Sequence, residues 1–247
     1  MIKPLLIMKT GNTIASLQKQ GVDFEDWFCA SLGLTPQEVV VVSVHEGQQL
    51  PAPDSVSALV ITGSPAYVTD LEEWNFSAAK FIKEAYAKQI PILGVCYGHQ
   101  LIAWVFGGEV DFHPCGREIG TVSIDLSVAA ENDQLFSGLP PVIAVNVSHQ
   151  QSVIELPAAA VRLASNGFDR NHGFRIGEST WGVQFHPEFS KEITQAYILA
   201  RQADIDAEGL DARTLHDAVL DTPESNDILR RFMLIVKAAG GSPEGAP

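Results

Sequence analysis

Cys96 stands in the run Ile92-Leu93-Gly94-Val95-Cys96-Tyr97-Gly98-His99-Gln100, with a glycine two residues before it and another two residues after. When a buried strand turns straight into a helix, side chains at those flanking places collide with neighbouring backbone. The apex residue is then thrust out at the C-terminal edge of the sheet. This is the pattern of a nucleophile elbow, with sulfur in place of oxygen. The helix that starts beneath it favours negative charge, which lowers a thiol pKa, and its first N–H groups can face a developing oxyanion. A thiol nucleophile needs an imidazole base, and the imidazole needs a carboxylate to orient it. Of the seven histidines, His186 is best placed, at the end of the apolar run Trp181-Gly182-Val183-Gln184-Phe185. Glu188 follows it across Pro187, which stiffens the link. His-Pro-Glu could also ligate a metal, but no second histidine lies at ligand spacing, and none is expected to bind.

The remaining candidates are plainer. Cys29 falls on the apolar face of a helix and reads as core, and Cys115 reads as a loop residue. His99 reads as a packing residue, while His45, His113, His172 and His216 have no motif around them. Asp70, Glu72 and Glu73 read as a solvated patch near the site entrance.

Elements that position Cys96 and His186 follow from the hydrophobic pattern. Short β-branched and leucine-rich runs predict strands at 4–8, 39–44, 58–62 and 91–95, and the unbroken run at 39–44 reads as buried on both faces. Between them, helices are predicted at 24–34 (Phe24, Trp27, Phe28 and Leu32 on one face), 73–89 (Phe76, Ala79, Phe81, Ile82 and Tyr86) and 97–106. Strand–helix alternation of this kind implies an α/β fold, an open and mostly parallel twisted sheet with flanking helices. The second half predicts short strands at 120–127, 142–147, 161–164 and 181–185, with a hairpin in the Gly/Asn/Asp-rich segment 166–177. From 191 onward the pattern is helical, through 203, 211–220 and 225–239. Ile228, Leu229, Phe232, Met233 and Ile235 form a stripe that should pack on the body. The expected organisation is one domain at 1–203, a helical extension at 204–239 and a flexible tail at 240–247.

Composition narrows the partners. The 247 residues carry 16 Lys+Arg against 30 Asp+Glu, a formal charge of −14, which argues against nucleic acid and anionic membranes as partners. The apolar start, residues 4–8, is too short for an export signal, and three cysteines are an odd number for a disulfide framework. A cytoplasmic protein is expected.

The two catalytic segments, Gly94-Val95-Cys96-Tyr97-Gly98-His99-Gln100 and Gly182-Val183-Gln184-Phe185-His186-Pro187-Glu188, resemble the signature motifs of class I (triad) glutamine amidotransferases. The sequence is most similar to the free-standing relatives of the guanosine monophosphate synthetase amidotransferase domain. Gly63-Ser64-Pro65, Gly107-Gly108, Arg117-Glu118-Ile119-Gly120 and Ser148-His149 extend the likeness over roughly residues 1–200. The resemblance implies a flavodoxin-like fold and a reaction at the side-chain amide of glutamine or of another γ-glutamyl compound. By the same resemblance, Cys96 attacks to form a γ-glutamyl thioester, His186 moves the proton, and Glu188 orients His186. Backbone N–H groups of Tyr97 and of the Gly63-Ser64 turn match the oxyanion hole. Gln100 matches the contact to the amino-acid end of the substrate, and the backbone around His149, Gln150 and Gln151 matches the receiver of its α-carboxylate. No cofactor is implied.

Two departures stand out. Relatives often read Ser-His-x-Asp where this chain has Gln151, and often Gln-Ala-Phe-Arg where it has His172-Gly173-Phe174-Arg175. The sequence also lacks a Gly-x-x-x-x-Gly-Lys phosphate loop for activating an acceptor. The expected activity is therefore glutamine hydrolysis that releases ammonia to a separate synthetase or acceptor subunit. The alternatives are a self-sufficient γ-glutamyl peptide hydrolase and a non-catalytic binding module.

Overall fold

Leu5–Lys9 (β1) is buried along its whole length because it lies inside a sheet, flanked in parallel by Val39–Ser43 (β2) and Ala58–Ile61 (β3). Successive side chains alternate across the sheet, so Leu5 and Ile7 enter one core while Leu6 and Met8 enter the core on the opposite face. The computed structural model describes residues 3–240. Two helices separate β1 from β2, the short α1 (Ala15–Gln18) and α2 (Phe24–Leu32). Asp23 opens α2 by accepting the Phe24 N–H, Asp26 accepts the Asp23 N–H in return, and Gly33 closes it in the left-handed region.

After β3 come α3 (Glu73–Ala87), β4 (Ile92–Val95) and α4 (Tyr97–Val105). The chain continues through β5 (Glu109–Phe112), β6 (Glu118–Leu126), β7 (Val142–His149), β8 (Gln151–Glu155), β9 (Ala160–Ser165), β10 (Gly173–Ile176) and β11 (Thr180–Val183). The main sheet runs in the order β2-β1-β3-β4-β11-β10-β9-β6-β7. Strands β2 through β11 in that order are parallel, and the antiparallel β10, β9, β6 and β7 extend the sheet. This is the mostly parallel, helix-flanked sheet that the alternation predicted. Because β11 pairs directly with β4, the residues that follow both strands emerge side by side at one edge.

Four helices close the chain: α5 (Lys191–Ala200), α6 (Gln202–Ala207), α7 (Ala212–Asp217) and α8 (Pro223–Gly240). Ile228, Leu229 and Phe232 of α8 are fully buried in the same core as Phe28 and Trp181. Burial of each such side chain is worth about 1.5–3 kcal/mol, an upper figure because unfolded chains already bury some area. Met233 and Ile235 are partly buried beside them. Residues 241–247, and with them nearly all of the expected tail, lie outside the described residues. None of the described helices is long and apolar enough to cross a membrane.

Two expectations need correction, and one small sheet was not foreseen. The strand at 39–44 is an edge strand, with Val40 and Val41 both 37% exposed, rather than one buried on both faces. A β-branched run suits an edge as well as a centre, because its propensity reflects the pleat and not the neighbours. Phe76 is exposed, since the buried face of α3 runs through Ala78, Phe81, Ile82 and Ala85, and Phe76 instead meets Trp104 edge-on. The two-stranded β5–β8 sheet was not anticipated, because Glu109, Asp111, Gln151 and Ser152 break the apolar pattern. Segment 166–177 holds the β9–β10 connection and β10 itself.

Candidate active site

Cys96 joins β4 to α4 with φ 51° and ψ −100°, a left-handed conformation that costs a non-glycine residue of order 1–3 kcal/mol. Packing over-determines it. A Cβ at Gly94 would lie 2.4 Å from the Gly98 carbonyl oxygen, and one at Gly98 would lie 2.5 Å from that of Ile61. The Cys96 N–H donates to Val183 O at 2.9 Å and its carbonyl accepts from Gln100 N–H at 3.1 Å. The elbow is thus clamped by the neighbouring strand on one side and its own helix on the other.

His186 lies three residues beyond β11, where its N–H donates to Asn146 O at 2.8 Å. Its ring stacks on Phe189 with centroids 4.0 Å apart, and its Nδ1 is 2.7 Å from Glu188 Oε1. With Nδ1–H donating to the carboxylate, Nε2 is the nitrogen left to serve the thiol. His186 and Glu188 are both buried. Burial alone would strip His186 of its proton, but the charges of Glu188 and Cys96 outweigh it and raise its pKa to about 10. Burial would likewise push the Cys96 thiol up, yet the charge of His186 and, to a lesser extent, that of His149 hold it below the usual thiol value. Both shifts favour the thiolate–imidazolium form of the pair over the neutral one.

Cys96 opens onto two small cavities. The first, about 170 Å³, is bordered by Tyr97, Gln100, His149, Gln150, Gln151 and Arg201. The second, about 90 Å³, is bordered by Thr13, Phe24, His186, Tyr197 and again Arg201. Ser64 borders both. Of the residues expected at the site, only Gly63 and Glu188 border neither. Glu188 sits behind His186, and Gly63 is pressed against the imidazole, where a Cβ would lie 2.9 Å from Cε1. The Gly63 carbonyl is held by the hydroxyls of Thr10 and Thr62 at 3.0 and 2.9 Å. A roomier groove of about 930 Å³ lies between residues 44–50 and α3, but no cysteine lines it.

Side chains of the substrate-side candidates are already engaged. Gln100 Nε2 donates to Gln151 O at 2.7 Å and to Gln184 Oε1 at 3.0 Å. Gln151 accepts the Val68 N–H at 3.1 Å and donates to Thr69 Oγ1 at 2.6 Å, and Gln150 accepts the Tyr67 hydroxyl at 2.6 Å. These two glutamines tie the turn at 67–71 over the first cavity. His149 donates from Nε2 to Glu118 Oε2 and from Nδ1 to Gln151 O, each at 3.0 Å. His99, wedged against Phe174 in full burial, is depressed to a pKa of about 3 and is neutral.

Three further residues at or behind the site carried no candidate role in the sequence. Glu118 and His172 belong to a buried cluster with His149, in which the Nε2 atoms of both histidines lie 3.0 Å from Glu118 Oε2. Burial opposes the Glu118 charge, but the two imidazoles hold its carboxyl well below the usual carboxylate range, while His149 is raised in turn. These three residues have the donor types of a metal site, with ligand atoms within 4.8 Å of one another. The shared oxygen lies 3.0 Å from both rings and accepts from His149, while Glu118 Oε1 accepts from Asn166 at 2.7 Å. The Arg117-Glu118 pair within the recognised motif was the available signal. Arg201 is the third, and it comes from the helical stretch to which no chemistry was attached. Arg117 itself makes two 3.0 Å bonds to Glu208, and Gln150 makes a third at 3.1 Å, fastening the end of α6 to the cavity rim.

Comparison with known proteins adds the following. The family model of class-I glutamine amidotransferases matches residues 21–205. Gamma-glutamyl peptidase 3 of Arabidopsis thaliana is 32% identical over 145 residues, which is 57% of this chain and 57% of that protein. The glutamine-hydrolyzing GMP synthase of Porphyromonas gingivalis W83 is 30% identical over 191 residues, 76% of this chain but 33% of that protein. The chain therefore spans between a third and somewhat over half of these relatives. A glutamine amidotransferase structure from Methylobacillus flagellatus superposes with a TM-score of 0.78 over 100% of this chain and 98% of that one, at 21% identity. That last likeness concerns the fold.

Proposed function

The chain belongs to the class-I glutamine amidotransferase family, and from that premise we propose that it hydrolyses γ-glutamyl amide bonds through a thioester on Cys96. The observation that carries the proposal is the hydrogen-bonded line from Glu188 to His186, with the imidazole and Cys96 bordering one cavity. The Cys96 thiolate adds to the δ-carbonyl carbon of glutamine, and the carbonyl oxygen takes up the negative charge. N–H groups of Tyr97 and of the Gly63-Ser64 turn receive that charge, a contribution worth 10²–10³ in rate per donor. As the tetrahedral intermediate collapses, the C–N bond breaks and His186 gives its Nε2 proton to the departing ammonia. Water then adds to the thioester with His186 as base, glutamate leaves, and the thiolate is restored. Glu188 keeps Nδ1 protonated throughout and balances the imidazolium.

Ammonia released in this way passes to a separate synthetase or acceptor subunit. The cytoplasm, where thiols stay reduced, is the compartment that suits Cys96. A second reading keeps the same covalent chemistry with an amino acid as the leaving group, and the guanidinium of Arg201 beside His186 favours it. The test is glutamate release from glutamine by the purified protein beside Cys96→Ala. Release that disappears in the variant supports the thioester, and release that persists overturns it.

A further inference from the structure

We infer that Arg201 is the anchor for a carboxylate on the leaving group, so that the site selects γ-glutamyl amino acids over simple γ-glutamyl amides. The inference rests on Cys96 being the γ-glutamyl acceptor, and takes the second reading of the leaving group, an amino acid, over ammonia.

Three observations converge. Arg201 stands over the ring of Tyr197 at 4.9 Å, and Tyr197 is fixed by a 2.7 Å hydrogen bond between its hydroxyl and Thr13 Oγ1. Among the described residues no carboxylate pairs with Arg201, and its Nη1 is buried without any hydrogen-bond partner. A guanidinium left so is costly, and a planar carboxylate is the group its fork fits. Third, Arg201 borders both cavities at Cys96, but the Tyr197 ring that fixes it borders only the one containing His186.

That last point decides which end of the substrate it meets. His186 must reach the departing nitrogen to protonate it, so the leaving group occupies the His186 cavity while the glutamyl moiety lies toward Gln100 and Gln151. Ammonia carries no carboxylate for Arg201. It would also leave most of this cavity of about 90 Å³ unfilled, since one water-sized molecule needs roughly 10–15 Å³ on that scale. An amino acid bonded through its α-nitrogen places its own carboxylate two bonds from the atom His186 protonates. In the step itself the Cys96–Cδ bond forms and the Cδ–N bond breaks. The His186 proton goes to the amino acid's nitrogen, and water later releases glutamate.

The experiment compares γ-glutamyl-alanine with γ-glutamyl-alaninamide, which differ only in the C-terminal carboxylate. Arg201 predicts a preference for the acid of roughly 10- to 100-fold in kcat/KM, the usual worth of one charge-assisted hydrogen bond, expressed mainly in KM. In Arg201→Met the ratio of acid to amide falls to about one, and in Arg201→Lys part of it survives. A ratio near one in the unmodified protein, or a ratio unchanged in Arg201→Met with the thermal midpoint preserved, overturns the proposal. If neither compound is hydrolysed, the thioester reading fails separately, and binding to Cys96→Ala measured by calorimetry takes over. Tighter binding of the acid that is lost in the Cys96→Ala/Arg201→Met double variant still supports Arg201, and equal or absent binding refutes it.

Discussion

Gly63 and His186 occupy one another's space, since a single methyl group on residue 63 would sit 2.9 Å from the imidazole Cε1. The same methyl would meet the ring of Phe24 at 3.4 Å, and His186 itself is stacked on Phe189, so neither ring has room to retreat. The turn that supplies a candidate oxyanion donor therefore also sets the position of the candidate base.

Gly63→Ala should accordingly lower kcat by about 10²-fold, the size of effect that a misplacement near 1 Å produces. The thermal midpoint should fall as well, because the added methyl cannot be housed without displacing a buried ring. Steady-state glutamate release together with a melting curve checks both halves, and an unchanged kcat would show that the imidazole is not held by this contact.

Charge on the triad sets the pH dependence. With the thiol held below its ordinary value and His186 raised to about 10, the thiolate–imidazolium pair exists between those two limits. Turnover should fall on the alkaline side as pH passes about 10, and iodoacetamide should label Cys96 at pH values where an ordinary thiol is protonated. His186→Gln removes the main counter-charge, leaves burial in control, and moves the labelling profile upward. Because folded His186 holds its proton more tightly than unfolded histidine, its share of stability is fully present below about pH 6.5 and is lost as pH rises through about 10.

Glu118 offers a second electrostatic test, since one carboxylate oxygen serves both His149 and His172. Glu118→Ala would leave buried imidazoles without their partner, at a cost of about 3–5 kcal/mol. Folded Glu118 titrates below its unfolded value, so its contribution is present above about pH 4.3 and is lost as the pH falls below that. Denaturant unfolding of the variant beside the unmodified protein at pH 7 and at pH 3 should show the Glu118 share of the gap narrowing on the acid side.

Gln151 stands where relatives often carry aspartate, and its amide both donates to Thr69 and accepts from Val68. An aspartate side chain is shorter and has no N–H, so Gln151→Asp loses the donor and loosens the turn at 67–71. The expected result is a several-fold rise in KM with kcat nearly intact, measured on glutamine and on a γ-glutamyl dipeptide. A fall in kcat with KM unchanged would instead place this residue in the chemistry.

The proposed catalytic line was legible in the chain because its causes are local. Gly94 and Gly98 flank Cys96 at a fixed spacing, and Glu188 lies only two residues from the imidazole that it orients. The apolar periodicity of β1, β3, β4 and α4 was equally local, and it placed the elbow at the edge of a parallel sheet. Glu118, which meets His149 across 31 residues, was recognised only as part of a motif, and His172 had no motif at all. Phe76 and the valines of β2 show the other side of the same limit, since their side chains suit a core or a surface and only the neighbouring elements decide. Arg201 depends most on tertiary structure. Its meaning comes from Tyr197, Thr13 and Cys96 meeting at one sheet edge, and no spacing along the chain encodes that encounter. Local sterics and periodicity, written in the sequence, determined the candidate nucleophile and its candidate base, whereas long-range packing decided which charges surround them.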